Sequence, residues 1–393
     1  MSAQVEKWLD HVRALAVDIG PRGPTTEGER LGAAYCANTL RQLGLDAQVE
    51  GFNSARSIFQ PHLLTAAAML LAFAIYPLAG RASAALAAII SLVALASDLL
   101  ELSFIDNPLR RIVAKGPSQN VIATIAPAAE HRQDLVLIGH IDTQRTPIVF
   151  ATPRWVATYK AFTTVAFVLF AAQTVLYLLG TLTGWPWIWP LTGLSAVGAL
   201  LLMAMCIQAD RTPFTAGAND NASAVGLVLT LAETLRIAPL QHTRVWLACT
   251  GCEEVQHYGA IDFFRRHRSA LRDPHAIAFE MLGCAGPSWL TKEGIIVPFH
   301  ADPGLVKLAE EIAAQHPELA AHPAQISGGN TEMADALRLG IPAITIGGQT
   351  RDGGMPYWHQ VGDTFDKMNP EVLERAYAFT WAFIAALDAR TGA

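Results

Sequence analysis

Residues 134–143 read DLVLIGHIDT, a short apolar run that ends in a histidine and an aspartate. A run of this length with polar flanks predicts a buried β-strand. Five similar runs predict further strands: LDAQVEGF from Leu45, QNVIATIA from Gln119, TRVWLACT from Thr243, HAIAFEM from His275 and PAITIGG from Pro342. Helical periodicity covers residues 222–237, 258–271, 304–315, 332–339 and 371–389. Strands that alternate with helices predict an α/β fold with a three-layer, mostly parallel sheet.

The composition of the chain is uneven. Of its 393 residues, 52% are hydrophobic and 16% are charged, whereas about 25% are charged in a typical soluble domain. Most of the apolar excess lies near residues 61–105 and 156–208. The net charge of −6 gives no basic surface for nucleic acid, so we expect no nucleic-acid partner. The five cysteines are scattered along the chain, which argues against a disulfide scaffold and favours a reducing compartment.

Four uncharged apolar runs stand in two back-to-back pairs, at residues 63–79 and 82–97 and at residues 161–180 and 191–207. Each run has about the length that a helix needs to cross a bilayer, near 20 residues. Tryptophans 185, 187 and 189 lie in the turn of the second pair, where interfacial aromatic residues collect. Buried helices of a large soluble protein are the alternative interpretation. The pairing favours two transmembrane hairpins, at residues 56–115 and 151–211, inserted into one catalytic domain formed by residues 1–55, 116–150 and 212–393.

The basic residues near these hairpins predict their orientation. Eight lysines and arginines flank the hairpins on the side of the soluble segments, whereas the two turns on the other side carry only Arg81. Positive flanks stay in the cytoplasm, so we expect an integral membrane protein, of a bacterial inner membrane, with a cytoplasmic catalytic domain. The N-terminus predicts an amphipathic helix that ends at Gly20-Pro21, and it shows no signal-peptide pattern.

Several polar residues follow the predicted strands at the edge where α/β sheets bind ligands. They are His140, Glu253, Glu254 and Glu280, each at or just after the end of a strand, His359 in the loop after the last strand, and Asp220 in a loop before a helix. Alone, each has an ordinary structural explanation, such as a local hydrogen bond or a helix cap. Together they offer an imidazole and carboxylates for each of two divalent ions, plus a further glutamate that could move a proton.

The motifs GHIDT, GANDNASAVG, GCEEVQHYGA, FEMLG and HQVGDTFDKMNPE resemble, in this order, those of zinc aminopeptidase family 28, a group of two-zinc exopeptidases. The resemblance implies the three-layer sheet of the zinc exopeptidases and two Zn²⁺ ions. By resemblance, His140, Asp220 and Glu280 would hold one zinc, and Asp220, Glu254 and His359 the other. Glu253 would be the general base, and Asp142 would orient the imidazole of His140.

The chain departs from the family pattern at several positions. Glu280 stands where the family usually has aspartate, and SGGNTEM (327–333) replaces a Ser-Asp-His-like stretch that lines the substrate pocket. Tyr357 is a candidate to support the oxyanion, because Trp358 occupies the usual tyrosine position. The largest departure is the hairpin between His140 and Asp220, which predicts an active site near the membrane.

Together these features predict a membrane-anchored, zinc-dependent hydrolase of peptide or amide bonds. Its expected partners are a peptide or amphipathic amide substrate and membrane lipid. Three alternatives stay open: an amidohydrolase acting on N-acyl amino acids or lipopeptides, an acyl transferase similar to glutaminyl cyclase with one zinc, and a non-catalytic membrane receptor. The sequence leaves the oligomeric state open.

Overall fold

A computed structural model describes residues 1–392. Nine strands occur in these residues and form one sheet: β1 (Gln48–Ala55), β2 (Lys115–Ile125), β3 (Gln133–His140), β4 (Thr243–Thr250), β5 (Pro274–Glu280), β6 (Ser288–Glu293), β7 (Phe299–His300), β8 (His322–Gln325) and β9 (Ala343–Gly347). Their order across the sheet is β1-β2-β4-β3-β5-β9-β6-β7, and β8 pairs with β6.

The sheet is mixed, so the prediction of a mostly parallel sheet needs correction. The central strands β4, β3, β5 and β9 are parallel neighbours, as expected for strands joined by helices. The β1-β2, β2-β4, β6-β7 and β6-β9 pairs are antiparallel. These antiparallel pairs flank the parallel centre, which therefore keeps the carboxyl ends of its four strands at one edge.

Thirteen α-helices occur in the described residues: α1 (Ala3–Arg13), α2 (Glu27–Gln42), α3 (Phe59–Ile75), α4 (Arg81–Leu102), α5 (Pro108–Ile112), α6 (Pro153–Thr183), α7 (Ile188–Leu191), α8 (Gly193–Asp210), α9 (Ser223–Ile237), α10 (Tyr258–His267), α11 (Pro303–Gln315), α12 (Met333–Arg338) and α13 (Pro370–Gly392). All strands and helices predicted outside the apolar runs occur, most of them with shifted ends. Strands β6, β7 and β8 and helix α2 were not predicted from the sequence.

The chain divides into two compact units. The first contains Met1–Ala55, Lys115–Gln144 and the chain from Phe214 onward. It includes the whole sheet, and its core is a single cluster of buried apolar side chains from the strands and from helices such as α1, α9 and α13. Gly139 lets α9 approach β3 closely, because a Cβ at this position would lie 3.0 Å from the Cβ of Ala224. The next residue is His140, so this packing fixes the end of the strand that carries it.

The second unit contains Arg56–Ala114 and Arg145–Pro213. It is a bundle in which α3 packs on α4 and α8, and α6 also packs on α4 and α8. Small and apolar side chains such as Ala66, Phe170 and Ala199 fill its interior. Other apolar side chains point outward, including Ile89 at 60% exposure and Val168 at 64%. A helix that is apolar on all sides is typical of a membrane span.

Three helices in residues 1–392 are long and apolar enough to cross a membrane, namely α4, α6 and α8. The fourth apolar helix, α3, has 17 residues, slightly fewer than the roughly 20 that span the hydrocarbon core. Length and composition therefore favour a membrane-associated chain.

Candidate metal centre

The predicted ligands lie at the carboxyl edge of the parallel strands. His140 and Glu280 are the last residues of β3 and β5, which are neighbours in the sheet. Glu253 and Glu254 follow β4, the neighbour of β3 on the other side. The other two ligands come from loops, Asp220 from the turn before α9 and His359 from the segment after β9. The structure thus brings together residues that are far apart in sequence.

Asp220 stands between the two histidines. Its Oδ1 lies 3.5 Å from Nε2 of His140, and its Oδ2 lies 3.5 Å from Nε2 of His359. On the His140 side, Oε2 of Glu280 lies 3.6 Å from the same Nε2. On the His359 side, Oε2 of Glu254 lies 3.2 Å from the histidine nitrogen. The five side chains therefore form two groups of three that share the Asp220 carboxylate.

These donors fit zinc in type and spacing. Within each group, the donor atoms lie within 4.8 Å of one another. Ligand atoms about 2.0–2.1 Å from a tetrahedral zinc lie about 3.3 Å apart, close to the 3.2–3.6 Å separations of the donor pairs. Moreover, Oε1 of Glu254 is buried and has no hydrogen-bond partner among residues 1–392. A buried carboxylate oxygen of this kind needs a cation or a donor.

The crowding of buried carboxylates in the centre also favours the binding of cations. Burial, together with Glu254 and Glu280, raises the pKa of Asp220 well above its usual range. Burial and the charge of Glu253 raise the pKa of Glu254 in the same way. Burial opposes a charge on His140, but Glu253 and other neighbouring carboxylates outweigh it and raise its pKa well above 6.5. Like charges crowded in a buried site resist ionisation together, and bound divalent cations would remove that penalty.

Glu253 borders this centre. Its Oε2 lies 3.7 Å from Nε2 of His140, and His140, Glu253 and Glu254 form a third group of potential ligands. Its Oε1 lies 3.0 Å from Nε2 of His257. Burial acts to raise the pKa of Glu253, but His140 and His257 outweigh it and lower the pKa to about 2. Glu253 is therefore held as a carboxylate.

Asp142 contacts both sides of the site. Nδ1 of His140 lies 3.0 Å from the main-chain oxygen of Asp142 and 3.6 Å from its carboxylate Oδ1. The carboxylate accepts hydrogen bonds from the backbone N–H groups of Glu253 and Glu254, both at 3.0 Å. Asp142 thus fixes the loop after β4 as well as the histidine at the end of β3.

Three residues that were not selected from the sequence also hold the predicted ligands in place. Asp363 accepts hydrogen bonds from the backbone N–H groups of Asn219, at 2.7 Å, and Asp220, at 3.0 Å. Asn221 donates from Nδ2 to Oε2 of Glu280 at 3.0 Å. Gln144 donates from Nε2 to Oε2 of Glu254, also at 3.0 Å. Asn221 and Asp363 lie inside the quoted motifs GANDNASAVG and HQVGDTFDKMNPE, which also contain the predicted ligands Asp220 and His359.

Tyr357 and the 327–333 stretch lie around the centre in different ways. The ring of Tyr357 packs against Gly362, and among residues 1–392 its hydroxyl makes no hydrogen bond to the five predicted ligands. In the 327–333 stretch, Glu332 is buried and accepts a hydrogen bond from Thr250. Burial raises the pKa of Glu332 to about 8.

Comparison with known proteins identifies the family. The model of peptidase family M28 matches residues 201–384, which contain Asp220, Glu254, Glu280 and His359. This part of the chain belongs to peptidase family M28. The match confirms the predicted family and the prediction of a metallopeptidase-type enzyme. Membership of M28 also implies zinc as the metal, in agreement with the donor set.

Solved structures with the same fold include aminopeptidases and glutaminyl cyclases. An aminopeptidase from Aneurinibacillus sp. strain AM-1 is 14% identical, with a TM-score of 0.57 over 97% of this chain and 93% of its own. The zinc aminopeptidase BSAP from Bacillus subtilis is 13% identical, with a TM-score of 0.56 over 98% and 95%. Glutaminyl cyclase from Porphyromonas gingivalis is 15% identical, with a TM-score of 0.56 over 98% of each chain. No curated protein matches the chain by sequence.

Proposed function

We propose that this M28 chain is a membrane-anchored hydrolase of peptide or amide bonds that uses two zinc ions. The position of Asp220 is the observation that carries the proposal. Its two oxygens face different histidines, each at 3.5 Å, which is the arrangement expected of a carboxylate that bridges two ions. In this proposal, His140, Asp220 and Glu280 hold one zinc, and Asp220, Glu254 and His359 hold the other.

Zinc in this position would act as a Lewis acid toward an amide carbonyl and toward water. Glu253 is the proposed general base because it borders the donors while His257 holds its other oxygen. Its carboxylate takes a proton from the attacking water and returns it to the leaving amine. Asp142 orients His140 and the Glu253–Glu254 backbone, and Tyr357 is the proposed support for the carbonyl oxygen of the substrate.

The substitution Glu253→Gln tests this assignment. It keeps the size of the side chain but removes its ability to accept a proton. We expect the variant to retain its zinc and to lose about 10²- to 10⁴-fold in turnover, the usual contribution of general acid–base catalysis. The assay uses aminoacyl and N-acyl amides with and without a chelator. Full turnover by the variant would exclude Glu253 from proton transfer, and chelator-resistant turnover by the wild type would exclude the metal mechanism.

The second part of the proposal concerns the membrane. We propose that residues 56–115 and 151–211 form two transmembrane hairpins with four crossings, and that residues 1–55, 116–150 and 212–393 form one cytoplasmic catalytic domain. The apolar character of α4, α6 and α8 supports the anchoring, and the basic flanks in the sequence support the orientation. We propose an amphipathic substrate, such as an N-acyl amino acid or a lipopeptide, because a hydrolase anchored in a membrane meets molecules that collect at the lipid surface. Equal cleavage of acylated and short soluble amides by the solubilised enzyme would argue against such a substrate.

An acyl transferase similar to glutaminyl cyclase is the second candidate, because glutaminyl cyclases from Porphyromonas gingivalis and Tannerella forsythia share this fold. The complete set of five ligands around Asp220 favours the two-zinc hydrolase. The number of bound zinc ions separates the candidates, since one zinc is expected for the transferase and two for the hydrolase.

A further inference from the structure

His257 is a buried histidine between the partly buried carboxylate of Glu253 and the buried carboxylate of Asp335, and the proposed mechanism uses it only as a neighbour of Glu253. It lies in the loop between β4 and α10 and is 3% exposed. Its Nε2 lies 3.0 Å from Oε1 of Glu253, and its Nδ1 lies 2.6 Å from Oδ2 of Asp335. Asp335 is on α12 and is 4% exposed. A line of three ionisable side chains therefore runs from the edge of the metal centre to a helix that supplies none of its ligands.

The chemistry of this line sets the direction of its hydrogen bonds. An ionised carboxylate only accepts hydrogen bonds, so an imidazole between two carboxylates donates from both of its nitrogens. Burial opposes a charge on His257, but Asp335 and Glu253 outweigh it and raise its pKa well above 6.5. Charge-assisted hydrogen bonds of this kind are about twice as strong as neutral ones.

The contact makes the two oxygens of Glu253 different. Oε1 is held by His257, whereas Oε2 faces the metal centre, 3.7 Å from Nε2 of His140. The backbone of Glu253 is fixed separately, by Asp142 through its N–H and by the N–H of His257, which donates to its carbonyl oxygen at 2.9 Å. These backbone contacts do not stop the side chain of Glu253 from rotating. The contact between His257 and Oε1 restricts that rotation.

We propose that His257, held in place by Asp335, is a positioning residue that keeps Oε2 of Glu253 directed at the water and the leaving amine. This inference rests on the proposed function, because His257 acts through Glu253 and does not touch the substrate.

The test compares His257→Leu with the wild type in hydrolysis of an aminoacyl p-nitroanilide by the zinc-loaded, full-length enzyme. We expect kcat to fall about 10- to 100-fold, as for loss of an outer hydrogen-bond partner of a catalytic group, while KM and zinc content stay within about twofold. Asp335→Leu should give a similar loss. Asp335→Asn should recover part of the activity, since its amide oxygen still accepts from Nδ1.

A double-mutant cycle separates positioning from a general structural role. If His257 acts through Glu253, then His257→Leu costs nothing further in a Glu253→Gln background. The matched control is His267→Leu, which removes another histidine–carboxylate pair, with Glu50 at 3.0 Å, from the opposite end of α10. We expect this control to keep the wild-type kcat.

Two results would overturn the positioning role alone while the wild type remains active: an unchanged kcat in both His257→Leu and Asp335→Leu, or an equal loss with and without Glu253. If His257→Leu does not fold, the Asp335→Leu and Asp335→Asn pair decides the question in the same way. A wild-type enzyme without chelator-sensitive turnover would instead overturn the proposed function, and the positioning role with it.

Discussion

The carboxylate of Asp142 shows how much a single residue outside the ligand set controls this site. It receives two backbone N–H groups, from Glu253 and Glu254, while its own main-chain oxygen holds the imidazole of His140. The proposed base and a ligand of each metal group thus depend on one buried side chain and its backbone.

Asp142→Ala should therefore impair both chemistry and metal binding. It leaves two backbone N–H groups, the buried one of Glu254 and the partly buried one of Glu253, without an acceptor, and it frees the loop after β4 to move. We expect kcat/KM to fall about 10- to 100-fold and zinc affinity to weaken by a similar factor, measured by steady-state kinetics and by competition with a chromophoric chelator. Asp142→Asn keeps one acceptor oxygen, so it should fall between alanine and wild type. Wild-type zinc affinity in the alanine variant would show that the loop holds its geometry without Asp142.

The sequence was sufficient to select the five predicted ligands, which the structure brings together, but not the residues that contact them. A ligand such as His140 or Glu280 stands out because it ends an apolar strand, where an ordinary buried residue would be apolar. Gln144 and Asn221 carry no such contrast, because amides are common in loops and their partners become visible only in three dimensions. The pairing of His257 with Asp335 is of the same kind, because four strands and two helices lie between these residues in the chain.

At the scale of elements, most long periodic segments were predictable from the sequence, whereas short polar strands were not. Strands β3 and β4 are apolar along most of their length, whereas β7 has two residues and β8 reads HPAQ. Such strands exist because their neighbour β6 offers backbone hydrogen bonds, so tertiary context decides them. The antiparallel pairs at the two sides of the sheet were not predicted, because the local periodicity of a strand does not indicate whether it pairs in the parallel or the antiparallel direction.

The contact between α1 and α2 makes stability depend on pH. His11 on α1 pairs through Nδ1 with the hydroxyl of Tyr35 on α2 at 2.7 Å, and burial lowers the pKa of His11 to about 4. The unfolded chain, with a histidine pKa near 6.5, binds this proton first as the pH falls. The contribution of His11 is therefore fully present above about pH 6.5 and is lost between about pH 6.5 and 4.

His11→Gln should reduce this dependence. Between pH 7 and pH 5, we expect the wild type to lose roughly 1–2 kcal/mol of unfolding free energy more than the variant. Parallel denaturant titrations of both proteins in the same detergent measure the difference. Equal losses in the two proteins would show that His11 titrates normally in the folded state.

At the scale of the whole molecule, the notable feature is that a unit of apolar helices interrupts a peptidase fold twice. The chain leaves the first unit after Ala55 and after Gln144, and it returns at Lys115 and at Phe214. Gln144, the last residue before the second departure, holds Glu254. The apolar runs were visible in the sequence because they are long, uncharged and arranged in two back-to-back pairs. Their orientation is still a prediction from the basic flanks.

Labelling from the two sides of the membrane tests this orientation. Leu78, in the turn between α3 and α4, is 75% exposed, and Ile237, at the end of α9, is 79% exposed. With a membrane-impermeant maleimide, we expect Leu78→Cys to react from the outside of cells and Ile237→Cys to react only in inverted vesicles. The wild type, with four buried cysteines and the half-buried Cys284, gives the background. Reaction of both variants from the same side would contradict the two-hairpin topology.

The zinc content of the purified chain tests the central claim most directly. Inductively coupled plasma mass spectrometry on the detergent-solubilised wild type should find about two zinc ions per chain. Asp220→Ala should lower this number to one or none, because both groups of ligands share its carboxylate. A wild type that binds one zinc ion or none under saturating conditions would contradict the two-zinc centre.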